Sequence, residues 1–197
     1  MAEIRHLFIT LAQRRQSPGS GSSHKFLSLR TAKVKWFDLN PVLSSLNWAV
    51  VGAVATRHYM PERTTHDLDI AISAADRAEV HSRLKASGFV YEAELSIGGS
   101  SWTAPDGTVI DVIEPISLWW HEAVVEAQSN RDLQGLPILP LRFLVLMKFK
   151  SGRVQDLADI TRMLGQSNND ALDKVRQLFT VWAPADSADL ESLIALG

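Results

Sequence analysis

The sequence predicts a mixed α+β fold in which helices pack on a small mixed β-sheet and a helical extension follows. Two patterns support this prediction. Short apolar or alternating segments suited to strands lie between residues 48 and 113, and from Leu141 onward the apolar residues have helical spacing. The chain has 197 residues, 46% of them hydrophobic and 21% charged, so it can bury a full core and has a globular composition.

The strands are predicted from segment length and apolar periodicity. Trp48 to Val51 is a short apolar run that ends at Gly52, and His66 to Ser73 alternates apolar with acidic residues. Residues Pro105 to Thr108 have the chemistry of a hairpin turn. The remaining predicted strands are Phe89 to Leu95, Ser100 to Thr103 and Thr108 to Ile113.

Helices are predicted on both sides of the strand-rich region, and they define three parts of the chain. Residues 1–24 form an N-terminal helix and a Ser/Gly-rich linker, residues 25–139 a core, and residues 140–197 the helical extension. The predicted helices are Ala2 to Arg15, Asn40 to Leu46, Ala53 to Tyr59, Ala75 to Ser87, Leu141 to Lys150, Val154 to Leu164, Asp170 to Trp182 and Ser187 to Leu196.

Composition excludes several classes of site. The chain has no cysteine, which rules out disulfides, zinc thiolates, iron–sulfur clusters and thiol nucleophiles. Its net charge of -2 argues against strong nonspecific binding to DNA. No apolar run approaches the roughly 20 residues of a membrane helix, and no signal peptide is recognisable. We therefore expect a cytoplasmic protein with no membrane partner.

Asp67 and Asp69 are the sharpest chemical feature of the sequence. Residues i and i+2 of a strand point to the same side, so both carboxylates can hold a divalent cation. Asp111 lies in another apolar strand and can complete a triad. The similarly spaced pair Glu92 and Glu94 lacks this context, and we interpret it as a solvated strand face.

The stretch from Val50 to Ile72 resembles the signature of the nucleotidyltransferase superfamily, whose fold is like that of DNA polymerase β. Gly52-Ala53 stands at the glycine pair of that signature, and after a spacer of 13 residues Asp67-Leu68-Asp69-Ile70 closes it. Together with Arg63 and Thr65, the segment is similar to the minimal nucleotidyltransferases of the AbiEii-like and MNT-like groups, found in toxin–antitoxin and phage-defence systems.

A second stretch, from Leu146 to Ile160, is similar to a helix pair of the same groups. It contains Lys148, Gly152, Arg153, Asp156 and Asp159 in the expected order. The resemblance implies that Lys148 contacts nucleotide phosphates. The alternative interpretation is a helix lysine whose ammonium group reaches to solvent. Arg153 and Asp156 would support the site, with Asp156 positioning Lys148 or Arg153; a solvated acidic face is the alternative.

The resemblance implies further roles for individual residues. Asp67, Asp69 and Asp111 would bind Mg²⁺ or Mn²⁺ and form the catalytic centre. Nucleotide binding would involve Gly52, Ala53, Arg63, Thr65 and Lys148. The alternative role of Arg63 and Thr65 is to brace the metal-binding strand, and a surface loop arginine is a further alternative for Arg63. The signature usually has glycine or serine where Ala53 stands, so a serine hydroxyl contact is missing and catalysis is in question.

The resemblance implies an enzyme that moves NMP from an NTP to an acceptor hydroxyl on RNA, a protein or a small molecule. A cognate toxin or antitoxin is a further implied partner. The alternative function is a weakly active or inactive module on the same fold, which senses nucleotides or binds a partner. Ala53 favours this alternative, and the intact acidic residues oppose it.

Overall fold

The computed structural model describes residues 2–15, 35–60 and 65–197. The predicted linker at residues 17–23, the predicted start of the core at residue 25 and the candidate Arg63 lie outside these ranges. The described residues fall into two compact units. One comprises residues 35–58 and 65–140, and the other comprises residues 2–15, 59–60 and 141–197.

The first unit is organised around a mixed β-sheet. Within the described residues the sheet has five strands in the order β1-β2-β5-β4-β3. Strand β2 is antiparallel to β1 and parallel to β5, and the pairs β5–β4 and β4–β3 are antiparallel. The strands are β1 (Trp48–Val50), β2 (Asp67–Ile72), β3 (Val90–Glu94), β4 (Gly99–Thr103) and β5 (Val109–Ile113). The predicted mixed α+β class is confirmed.

Helices of this unit follow the strands. Helix α1 belongs to the other unit and is described below; the sheet unit contains α2 (Gly52–Thr56), α3 (Arg77–Ala86) and α4 (Trp120–Ala127). A 3₁₀ helix, Ala74–Asp76, precedes α3. Val80 and Leu84 of α3 are fully buried, as the predicted amphipathic helix requires. Trp119 and Trp120 are buried too, which places them in the packing of the unit.

The predicted helix from Asn40 to Leu46 is wrong, because this segment consists of turns. The amide of Leu43 donates to the carbonyl of Leu39 and that of Leu46 to Leu43, so a helical turn begins. Ser45 then has φ of 65°, in the left-handed region, which a continuing right-handed helix does not allow.

The faces of the sheet follow the alternation of its strands. Leu68, Ile70, Ile110 and Val112 are fully buried on one face, together with Trp102 of β4. Asp67, Asp69, Ser101 and Asp111 have the opposite parity and are partly exposed, whereas Ala71 of that parity is fully buried. The sheet therefore presents its core to one side and its acidic residues to the other.

The second unit is helical. It contains α1 (Ala2–Arg15), α5 (Leu141–Ser151), α6 (Val154–Gly165), α7 (Asn169–Trp182) and α8 (Ser187–Leu196). Each lies within two residues of its predicted bounds. Phe143, Phe149, Ile160, Val175 and Phe179 are fully buried and form part of its core. No helix in the described part of the chain is long and apolar enough to cross a membrane.

Candidate active site

Asp67, Asp69 and Asp111 come together on the partly exposed face of the sheet. Parallel pairing of β2 with β5 sets Asp69 directly beside Asp111, and Asp67 lies two residues earlier on the same side of β2. One carboxylate oxygen from each residue lies within 4.8 Å of the others. Three hard oxygen donors at this separation fit a divalent cation such as Mg²⁺.

Two hydroxyl groups hold members of this triad. Ser101, on β4, pairs with Asp111 across the sheet, and its Oγ donates a hydrogen bond of 2.6 Å to Asp111 Oδ1. The Oγ1 of Thr65, just before β2, donates to Asp67 Oδ1. Both carboxylates are thereby oriented, since hydrogen-bonded partners fix the direction in which ligand oxygens point.

Strand β4 is fixed from the opposite face of the sheet. The buried Ser100 accepts a hydrogen bond of 2.9 Å from Trp102 Nε1, and its Oγ lies 3.0 Å from His81 Nε2. Burial lowers the pKa of His81, and the charge of Arg77 lowers it further, which favours the neutral ring. The Nε2 atom of a neutral imidazole can accept a hydrogen bond from the Ser100 hydroxyl. These contacts anchor the strand that carries Ser101.

Gly52 makes room for Asp69. It has φ of 59°, and a Cβ atom built there would overlap the Asp69 carboxylate, with Asp69 Cβ at 2.9 Å. The amide of Val51 donates to the Asp69 carbonyl at 2.9 Å, so the turn and the strand are locked together. Glycine is required here by both conformation and space.

Ala53 is the residue that follows Gly52 in helix α2. Among the described non-glycine residues, Ser45 is the one with positive φ, so the left-handed conformation falls on Gly52 and not on Ala53. An alanine side chain therefore causes no backbone strain at this position. The hydroxyl that a serine would provide is missing.

Lys148, Asp156 and Asp159 form a buried ionic cluster within the helical unit. Lys148 Nζ lies 3.0 Å from Asp156 Oδ1 and 2.8 Å from Asp159 Oδ2, and all three residues are less than 9% exposed. Lys148 does not reach to solvent, and the alternative of a solvated acidic face is wrong. Its predicted contact with nucleotide phosphates stays a prediction.

Asp156 joins Lys148 to Arg153. Its Oδ2 accepts a hydrogen bond of 2.6 Å from Arg153 Nε and another from Ser151 Oγ. Burial alone would raise the pKa of Asp156, but the hydrogen bonds from Arg153 and Ser151 and the charge of Lys148 outweigh it and hold the pKa below 3.8. Asp156 is therefore ionised at neutral pH and contacts both Lys148 and Arg153. Its support of the nucleotide site stays a prediction.

Replacing Lys148 by Met should destabilise the protein by about 3 to 5 kcal/mol, because Asp159 and Asp156 would stay buried without their shared cation. Urea denaturation measures this change. Lys150→Met is the matched control, since Lys150 is exposed and its one described bond goes to a backbone carbonyl at 3.3 Å. Lys148→Met/Asp159→Leu should recover much of the loss. Wild-type stability of Lys148→Met would contradict this account.

The cluster should also make the protein sensitive to acid. Because the folded pKa of Asp156 lies below its ordinary value of 3.8, ionised Asp156 stabilises the fold fully above about pH 5. That contribution is lost as the pH falls through the lowered folded pKa. We expect the free energy of unfolding to fall less steeply below pH 4 in Asp156→Asn than in the wild type. Equal slopes in the two proteins would argue against it.

The structure thus brings together the three predicted aspartates, Thr65 and Gly52, with Ala53 following in the same turn. Lys148, Arg153 and Asp156 meet one another in the helical unit. Ser101 was not predicted from the sequence. The sequence feature that could have indicated it is a serine on the strand next to the one that carries Asp111. Serines are frequent in this chain, however, and the strand register determines which of them faces the site.

No family model matches the sequence, and no curated protein sequence matches it either. Among solved structures, the chain is similar to the crystal structure of ANT(2'')-Ia in complex with adenylyl-2''-tobramycin. The identity is 14%, the match covers 76% of this chain and 87% of that chain, and the TM-score is 0.42. The solution structure of the same antibiotic-resistance factor gives 16% identity, coverages of 76% and 80%, and a TM-score of 0.42.

The crystal structure of the Cid1 poly(U) polymerase is a further match. It shares 12% identity, with 76% of this chain and 47% of that chain covered and a TM-score of 0.30. At these identities and TM-scores, neither family membership nor activity follows from the likeness.

Proposed function

We propose that the chain is a nucleotidyltransferase that moves NMP from an NTP to an acceptor hydroxyl with the aid of Mg²⁺ or Mn²⁺. The observation that carries this proposal is the convergence of Asp67, Asp69 and Asp111 on one face of the sheet, within 4.8 Å. The resemblance of the Gly52 to Ile70 segment to the superfamily signature supports it, because the residues of the signature are the ones that meet in space.

The acidic residues suit a divalent cation chemically. All three offer hard carboxylate oxygens, and Thr65 and Ser101 orient two of them. A cation bound there would supply Lewis-acid stabilisation of phosphate oxygens. Without a positive charge, three carboxylates this close repel one another, so the arrangement itself favours a cation.

The transfer itself forms one bond and breaks another. The acceptor oxygen bonds to the α-phosphorus of the NTP, the bond from that phosphorus to the bridging oxygen breaks, and pyrophosphate leaves. The acceptor proton must leave its oxygen, and we assign its first acceptor to the Asp111 carboxylate. Ser101 donates to Oδ1 of that carboxylate, and the other carboxylate oxygen would take the proton.

Label transfer tests the proposal. The protein is incubated with Mg²⁺ and each α-labelled NTP, using total RNA and cell extract as acceptors. Asp67→Asn/Asp69→Asn serves as the inactive control. Label transferred by the wild type alone would establish the activity, and its mobility would identify an RNA, protein or small-molecule acceptor. Nucleotide binding without transfer would indicate instead the sensing or partner-binding module that Ala53 favours.

Replacing Ser101 by Ala should lower transfer about 10- to 100-fold, because Asp111 loses the donor that orients it. The Mg²⁺ concentration needed for half-maximal activity should rise by a similar factor. Ser101→Thr keeps the hydroxyl and should rescue both properties. An unchanged Mg²⁺ dependence in Ser101→Ala would show that this hydrogen bond does not position the carboxylate.

The biological setting is part of the same proposal. The similarity to the AbiEii-like and MNT-like groups supports a role in a toxin–antitoxin or phage-defence system, with a cognate partner protein. Co-expression with the product of the adjacent gene would test it. Suppression of label transfer, or of growth inhibition, by that product would support the setting, and independence from it would count against the setting without affecting the transferase activity.

A further inference from the structure

Helix α1 exposes its apolar side. Ile4, Leu7, Phe8 and Leu11 are 58%, 56%, 36% and 39% exposed, and their spacing of three, four and seven residues places them in one stripe on the helix. Amphipathic helices of globular proteins normally turn such a stripe toward the core. A contiguous apolar stripe on the outside marks an interaction surface.

The opposite side of α1 is held firmly by polar contacts. Arg5 is only 8% exposed, donates to Asp186 and Asp189, and lies with its guanidinium 4.1 Å from the centre of the Phe149 ring. Ile9, one turn later, is 3% exposed. These contacts fix the rotation of the helix about its axis, so the outward position of the stripe is a defined property of the fold.

We propose that this stripe binds the same stripe of a second copy of the chain, with the two helices antiparallel. The stripe suits a two-fold axis. Such an axis, placed between Leu7 and Phe8, pairs Ile4 with Leu11 of the other copy and sets Leu7 beside Leu7 and Phe8 beside Phe8, so all four residues find apolar partners.

The charges of α1 select the antiparallel arrangement. Glu3 and Arg14 are exposed at opposite ends of the helix, and at 100° per residue they lie on the same flank of the stripe. In an antiparallel pair the same flanks meet, so Glu3 of each copy approaches Arg14 of the other. Parallel helices would instead bring opposite flanks together, so that neither charge meets its opposite, and would align the helix dipoles unfavourably.

The size of the stripe sets the strength of the contact. A helix of 14 residues is about 21 Å long, and one stripe on it buries less area than the roughly 1,200 Å² of a stable interface. We therefore expect a reversible dimer with a dissociation constant on the order of 10 to 100 μM.

Sedimentation velocity over about a hundredfold range of protein concentration tests the proposal. The wild type should change from monomer to dimer, whereas Leu7→Gln should stay monomeric at every concentration. Val181→Gln is the matched control, because Val181 is an apolar residue of the same unit that is 68% exposed but lies on α7. Thermal unfolding verifies that each variant is folded.

Charge reversal distinguishes an antiparallel self-contact from other interactions. Glu3→Arg and Arg14→Glu should each weaken the dimer about tenfold, and the double variant should restore it, because the two ends then again carry opposite charges. A wild type that stays monomeric throughout, or a dimer that Leu7→Gln does not weaken, would overturn the proposal. A dimer lost in Leu7→Gln but not restored by the double charge reversal would overturn the antiparallel arrangement.

Discussion

Replacing Asp69 by Asn should reduce nucleotidyl transfer by about a thousandfold or more. Asp69 lies beside Asp111, and one of its carboxylate oxygens lies within 4.8 Å of an oxygen of each other carboxylate, so it would be a ligand of a cation held by the triad. Asparagine keeps the shape but lacks the charge that holds a cation. Loss of about 4 kcal/mol of phosphate-charge stabilisation corresponds to this factor.

The thermal stability of Asp69→Asn should change differently from its activity. Three close carboxylates repel one another without a cation, so Asp69→Asn should keep or raise the melting temperature of the metal-free protein. Adding Mg²⁺ should raise the melting temperature of the wild type more than that of Asp69→Asn, since binding to the folded state is stabilising.

Glu92→Gln/Glu94→Gln is the matched control for this experiment. These residues have the same spacing on a strand but are exposed on β3, away from the triad strands β2 and β5 in the sheet order. Their loss should leave both transfer and Mg²⁺ stabilisation unchanged. An Asp69→Asn protein that transfers nucleotide at the wild-type rate would refute the role of the triad, and one that unfolds would show that Asp69 is structural.

Replacing Gly52 by Ala should impair both folding and activity. The left-handed φ of 59° costs an alanine about 1 to 2 kcal/mol, and the added Cβ would overlap the Asp69 carboxylate. Either the turn or Asp69 must then move. We expect a loss of about 2 to 4 kcal/mol in the free energy of unfolding, measured in urea, and transfer as low as in Asp69→Asn.

A double-mutant cycle locates the cause of this loss. The Asp69→Ala substitution removes the overlapping carboxylate, so Gly52→Ala should cost less stability in that background than in the wild type. Ala53→Gly is the control for the turn, since Ala53 does not have a positive φ and contributes no such contact. Equal costs of Gly52→Ala in both backgrounds would mean that the strain lies in the backbone alone.

Local patterns were sufficient for most elements of this fold. The alternation from His66 to Ser73 predicted β2, and the helical spacing after Leu141 predicted α5 to α8 within two residues. Failure came at Asn40 to Leu46, where a proline suggested a helix start. The left-handed Ser45 is a tertiary outcome that residue type does not indicate.

Contacts between strands were harder to predict, because they depend on register. The amide of Ala104 bonds to the Thr108 carbonyl, so the turn leaves three residues, Pro105 to Gly107, in the loop. Gly107 takes the positive φ of 86° that this turn requires. A register shifted by one residue would set Ser100 or Trp102 in place of Ser101 opposite Asp111.

The burial of the Lys148 cluster was also hard to predict from the sequence. The three-residue spacing of Asp156 and Asp159 predicted a shared helix face, and they do share one. Whether that face is solvated or buried depends on the helices packed around it, which spacing does not specify. The buried ion pairs therefore emerge only from the three-dimensional structure.

The contacts of Arg5 affect the order in which the chain can fold during translation. Its partner carboxylates, Asp186 and Asp189, lie 181 and 184 residues later, with the whole sheet unit between them in sequence. At ordinary translation rates of about 5 to 20 residues per second, α1 is synthesised about 10 to 40 s before those residues. In that interval the carboxylates that hold Arg5 in place are absent. The sheet unit can fold first, and the helical unit closes around Arg5 only after Asp186 and Asp189 have been synthesised.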